Sequence, residues 1–94
     1  MRIKWQEDAI LDLQHLQDYI AQDKPGAAKE IGQRILEAVN LLSHQPNIGR
    51  PGRVPHTREL VVSRTPYFLP YRVKNEIIEI LRVLHGAMQW PDNF

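Results

Sequence analysis

Two apolar stripes in the first half of the chain restrict what it can fold into. Ala9, Leu13, Leu16 and Ile20 are spaced four, three and four residues apart, and Ala28, Ile31, Ile35, Ala38 and Leu42 repeat at three, four, three and four. Each spacing lines one face of an α-helix, and each face must be buried against a neighbour. The first helix starts at Glu7 and ends near Gln22, with Glu7, Asp8 and Asp12 toward its positive N-terminal end. Only Asp23-Lys24-Pro25 links the stripes. It reads as a cap with proline in the first turn, where the missing N–H costs nothing. So short a link makes the helices antiparallel neighbours. Gly32 costs about 1 kcal/mol relative to alanine inside a helix, so close packing is expected there.

A helical hairpin needs a second layer, and the rest of the chain supplies strands. Arg2 to Trp5 alternates, with Ile3 and Trp5 on one face, and predicts a first strand at the edge of a sheet. Pro46, Gly49, Pro51, Gly52 and Pro55 make residues 44–57 a long loop, which carries Arg50 and Arg53. Three β-like runs follow: Arg58 to Ser63, Tyr67 to Val73, and Glu76 to Leu84 after the turn Val73-Lys74-Asn75. Pro70 cannot donate to a ladder, so its nitrogen must face an edge or a bulge. The last run is nearly all apolar, as in a central strand buried on both faces. The reading is one α+β domain spanning 1–94, a helical hairpin packed on a mainly antiparallel sheet, in the order β-α-α-β-β-β. The tail from Gly86 to Phe94 is expected to be irregular, with Trp90 packing back.

Chemistry-bearing residues narrow the function. Absence of cysteine excludes disulfides and thiolate metal sites and fits a reducing cytosol. Acids at 7, 8 and 12 break any signal-peptide core, and no apolar run approaches the ~20 residues of a membrane span. A cytoplasmic protein without membrane attachment is expected. His15, His44, His56 and His85 lack metal-ligand spacing, so no metal is expected. Nucleophile-elbow, Walker and dinucleotide motifs are missing, so neither covalent catalysis nor a cofactor is expected. Ninety-four residues leave little apolar material for a deep ligand cavity as well as a core.

Charge is uneven. Residues 1–44 carry five cations against seven acids, whereas residues 45–94 carry seven against four, and six of those seven are arginine. Arginine reads carboxylate and phosphate bidentately, so the second half suits an acidic or phosphorylated partner. The candidates are Arg50, Arg53, Arg58, Arg72, Arg82 and His85. Arg58, Arg82 and His85 could in principle cleave RNA, the arginines stabilising a phosphorane while His85 moves a proton. The plainer expectation is that Arg58, Arg72 and Arg82 pair with Glu59, Glu76 and Glu79 along the ladders.

Several segments taken in order carry a resemblance. They are Ala9-Ile10-Leu11-Asp12-Leu13, His44-Gln45-Pro46-Asn47-Ile48-Gly49-Arg50-Pro51 and Arg58-Glu59-Leu60, then Pro66-Tyr67, Pro70-Tyr71-Arg72-Val73 and Ile80-Leu81-Arg82-Val83-Leu84-His85-Gly86. With the element order, the chain resembles the RelE/ParE family of bacterial toxins from type II toxin–antitoxin pairs over nearly its whole length. The resemblance implies a growth-arresting toxin bound by a cognate antitoxin, with operator DNA contacted only through that antitoxin. It also implies plasmid stabilisation as a setting. RelE-like members are ribosome-dependent mRNA endonucleases with several lysines and arginines and a tyrosine or histidine near the C-terminus. ParE-like members act on DNA gyrase and lack that set. Here Ala87 and Met88 stand where a ribonuclease offers a cation, no tyrosine follows Tyr71, and no lysine lies between Lys29 and Lys74. The resemblance therefore points to a ParE-like gyrase inhibitor that is not an enzyme. Partner contacts are then expected at Arg50, Arg53, Arg58, Arg72, Arg82, His85 and Trp90. The alternatives are a ribosome-dependent mRNA endonuclease acting through Arg58, Arg82 and His85, or a non-toxic antitoxin-binding relative.

Overall fold

The structure is a computed structural model and describes residues 1–86. Its elements run β1 (Arg2–Trp5), α1 (Glu7–Ala21), α2 (Pro25–His44), β2 (Arg50–Pro51), β3 (Arg58–Val61), β4 (Tyr67–Lys74), β5 (Ile77–Ile80) and β6 (Leu84–His85). Both helices stand where the stripes place them. Ala9 is fully buried, with Leu13 and Leu16 packed against the core. On α2, Ala28, Gly32, Ile35, Val39 and Leu42 face inward. Gly32 is where the hairpin closes: a Cβ there would collide with the Gln17 side-chain amide of α1, whose Nε2 donates to Ala28 O at 3.3 Å. The cap differs from expectation. Lys24 is the N-cap of α2, no side chain caps it, and Pro25 alone supplies the start signal.

The sheet is mixed and six-stranded, in the order β1-β5-β4-β3-β2, with β6 also on β4. β1 lies at the edge, parallel to β5, and every other pairing is antiparallel. Alternation puts Ile3, Trp5, Leu60, Leu69, Tyr71, Ile78 and Ile80 on the face that meets Ala9, Ile35, Val39 and Leu42. Arg2, Lys4, Arg50, Glu59, Arg72, Lys74 and Glu79 fall on the opposite face.

The expected long strand over Glu76–Leu84 is two strands. β5 pairs with β4 so that Tyr71 faces Ile80, whereas β6 pairs so that Phe68 faces Leu84. The second register is offset by one residue, which is a β-bulge over residues 81–83. Pro70 explains its position. Leu81 N–H donates to Pro70 O at 2.9 Å, but proline has no N–H to return, so the reciprocal pair cannot close. Two further differences are local. The 44–57 loop contains the short strand β2. The turn after β4 is Asn75-Glu76, both at positive φ (52° and 62°), the geometry of a two-residue hairpin.

Candidate interaction face

Two carboxylates and a phenol organise the sheet end that carries most of the arginines. Glu79, on β5, is 9% exposed. It accepts Arg72 Nε at 2.7 Å on Oε1 and Gln6 Nε2 at 2.7 Å on Oε2. The Arg72 hydrogen bond, aided by the charges of Arg72, Lys4 and Lys74, outweighs burial and holds the Glu79 carboxyl below its ordinary value of 4.5. Glu59, on β3, is 4% exposed. It accepts Arg50 Nε at 3.0 Å and the backbone N–H of Arg53 at 2.8 Å. These buried acids hold arginines in place while leaving them accessible, since the Arg50 and Arg72 side chains stay 57% and 37% exposed.

The loop before β3 is pinned from beneath. Tyr71 Oη donates to Pro46 O at 2.8 Å and accepts the Gly49 N–H at 2.9 Å. Burial pushes the Tyr71 phenol up against the opposing pull of the Gly49 N–H and the Arg58 charge, so it keeps the proton it donates. Arg58 Nη1 donates to Gly49 O at 2.8 Å and Asn47 O at 3.3 Å. The loop, β3 and β4 thereby enclose an open cleft of about 290 Å³ lined by Asn47, His56, Thr57, Arg58 and Arg72, with Pro51 and Val73.

The expected ladder pairs are realised only once. Arg72 faces Glu79 in register and binds it. Arg58 binds loop carbonyls, and the partner of Glu59 is Arg50. Glu76 lies exposed in the hairpin turn. Arg82 binds Asp12 of α1, Nε to Oδ2 at 2.7 Å and Nη2 to Oδ1 at 3.0 Å, while Asp12 Oδ2 also accepts the Val83 N–H at 3.0 Å. That bidentate bond raises the Arg82 guanidinium further, against the effect of burial. Asp12 is a residue that helix-dipole reasoning places without revealing this use. His85 sits edge-on to Tyr67, ring centroids 5.4 Å apart at 84°. Trp90, with Ala87, Met88 and the rest of the tail, lies outside the described residues. Among the described residues no cluster of three or more His, Asp or Glu could hold a metal ion, and no helix is long and apolar enough to cross a membrane.

Arg58, Arg82 and His85 are therefore not brought together. Arg58 faces Tyr71 and His85 faces Tyr67, four residues apart along β4, a separation of about 13 Å at ordinary strand rise. Arg82 is turned to α1 by its carboxylate.

Residues 3–90 match the family "ParE toxin of type II toxin-antitoxin system, parDE". The chain belongs to the ParE toxin family. It is thus a toxin of the RelE/ParE type, from a toxin–antitoxin pair in which an antitoxin is the partner. Among curated relatives it is 44% identical over 90 residues to "Putative toxin Y4kP" of Sinorhizobium fredii, covering 96% of this chain and 93% of that protein. It is 35% identical over 86 residues to "Toxin RelE2" of Caulobacter vibrioides, covering 92% and 96%. A solved structure described as the chromosomal ParDE TA system from P. aeruginosa superposes with a TM-score of 0.82 at 35% identity, covering 90% of this chain and 95% of that one.

Glu79 allows a direct check on how this ParE-family face is held. Because its folded pKa lies below the ordinary value, it favours folding when ionised. That contribution is complete above about pH 4.5 and is lost as pH falls through the lowered folded value. Glu79→Gln should cost about 1–2 kcal/mol at neutral pH. The difference from the parent should vanish in acid, read as urea midpoints across pH. A constant difference down to the acid limb would contradict the assignment.

Proposed function

We propose that this toxin acts on DNA gyrase, stalling it with cleaved DNA, and performs no covalent chemistry itself. The observation that carries this reading is the dispersal of Arg58, Arg82 and His85, which do not converge as an acid–base set around one reacting phosphate among the described residues. In addition, the middle of β3 and β4 places Glu59, Val61, Phe68 and Pro70 on the side opposite the helices, where Val61 alone of the four is exposed. These are residues that cannot stabilise a developing phosphorane charge.

The cognate antitoxin neutralises the toxin, with its acidic segment meeting Arg50 and Arg53 at the rim of the sheet. Its apolar anchors would dock on the helical layer, where Tyr19, Leu36 and Leu41 are exposed. Operator DNA is reached through the antitoxin alone, the site of action is the cytoplasm, and plasmid maintenance is one setting for such a pair. The likeness to a protein named Toxin RelE2 makes ribosome-dependent mRNA cleavage the second reading.

Purified toxin added to gyrase should block supercoiling and accumulate cleaved DNA. It should leave mRNA on translating ribosomes intact. Unchanged gyrase activity together with cut mRNA would reverse the two readings.

A further inference from the structure

The two layers carry opposite charge. α1 and α2 hold six acids (Glu7, Asp8, Asp12, Asp18, Glu30 and Glu37) against Lys29 and Arg34, while the strands hold six cations (Arg2, Lys4, Arg50, Arg58, Arg72 and Lys74) against Glu59 and Glu79. Both strand acids are buried and hydrogen-bonded to cations or amides of the same region. Such a dipolar molecule repels a polyanion from its helices and steers it to its sheet.

We propose that the cleft between the 47–57 loop and the β3–β4 end seats a phosphate group of a nucleic-acid backbone, read without regard to sequence. Arg58 supplies an uncompensated charge: among the described residues its partners are the carbonyls of Asn47 and Gly49, and it forms no ion pair. Arg72 engages Glu79 only through Nε, leaving the terminal nitrogens of its fork for an oxyanion. Asn47 and His56 add side-chain donors to the cleft wall, while Thr57, which also lines it, donates its hydroxyl and its N–H to Val54 O; charged and uncharged donors together are the mixture that phosphodiester contacts use. The surroundings disfavour an acidic peptide as occupant. A peptide needs apolar anchors beside its charges, and only Pro51 and Val73 line this cleft. Most of the large exposed apolar side chains, Ile10, Leu11, Tyr19, Leu36 and Leu41, lie on the helices, and Ile48 and Val61, exposed on the loop and on β3, do not line the cleft. The inference deepens the gyrase reading, on which it rests for the presence of DNA, by giving the toxin its own contact with the DNA that gyrase holds.

The test is an NMR titration of the full chain with a short duplex DNA at low salt, following backbone amides and arginine Nε–H signals. Shifts should concentrate at Arg58, Arg72, Thr57 and His56. By fluorescence anisotropy with the same duplex, Arg58→Gln should weaken binding about five- to tenfold and lower the salt slope by about one. A circular-dichroism melt and the dispersion of its amide spectrum serve as the check that Arg58→Gln is folded, and the wild-type titration stands whether or not it is. Equal shifts with polyglutamate, shifts with inorganic phosphate but none with DNA, or DNA shifts located elsewhere would each overturn the proposal. A toxin that poisons gyrase without these shifts refutes this inference alone. One that binds DNA in the cleft yet leaves gyrase untouched refutes the gyrase reading alone.

Discussion

Asp12→Ala is expected to cost about 3 kcal/mol of folding stability, read as a lowered urea midpoint with an unchanged slope. Asp12 joins residues 70 apart in sequence, taking both forks of Arg82 and the Val83 N–H on one carboxylate. Its side chain is 18% exposed and that of Arg82 27%. Screening is therefore weaker than for a surface pair, and removing the acid strands a half-buried cation as well as a backbone donor. Three kcal/mol is a large share of the ~5–14 kcal/mol that a domain of this length commands, and corresponds to roughly 12–24 °C in melting temperature. The effect has a second signature. Because Asp12 holds the bulge that lets β6 rejoin β4, amides of residues 82–85 should lose hydrogen-exchange protection before those of β5. Asp12→Asn keeps one acceptor and should cost about half as much.

Gly49→Ala should be as damaging, for a steric reason. A Cβ at this position would fall 2.6 Å from both Cε1 and Oη of Tyr71 and 3.0 Å from Glu59 O, with the phenol ring fully buried. Neither the ring nor the strand carbonyl can yield cheaply, so about 3 kcal/mol is expected. Tyr71→Phe removes the obstacle's hydroxyl but leaves the Gly49 N–H and Pro46 O without their partner, at about 2 kcal/mol. The two changes act on one contact. The double variant should therefore cost less than their summed effects, measured as a double-mutant cycle by chemical denaturation. Strict additivity would mean that the loop is not seated on Tyr71.

The unequal legibility of the chain follows from the range of the interactions. The helices, β1 and the breaks at proline are local, and spacing alone places them. Pro70 even announces the bulge, since a missing N–H must be accommodated somewhere, although not that the bulge would divide the last strand at residues 81–83. The Asn75-Glu76 turn was harder to see, because glutamate gives no sign of accepting positive φ. The site was the least legible part. Which arginine meets which acid depends on strand register, and Arg58 and Glu59, adjacent in sequence, point to opposite faces and find different partners. Tyr71 reads as one more apolar residue in a strand, yet its hydroxyl anchors a loop 22–25 residues away in sequence. The alternation of Arg2 and Lys4 with Ile3 and Trp5 did carry the signal for two further cations on the outer face.

Inducing the chain alone in growing cells separates the proposed arrest through gyrase from arrest through RNA cleavage. DNA-damage signalling and bulk protein synthesis would be followed from the first minutes. Filamentation with damage signalling while translation continues is the expected result. Immediate loss of translation with cleaved mRNA and no damage response would contradict it.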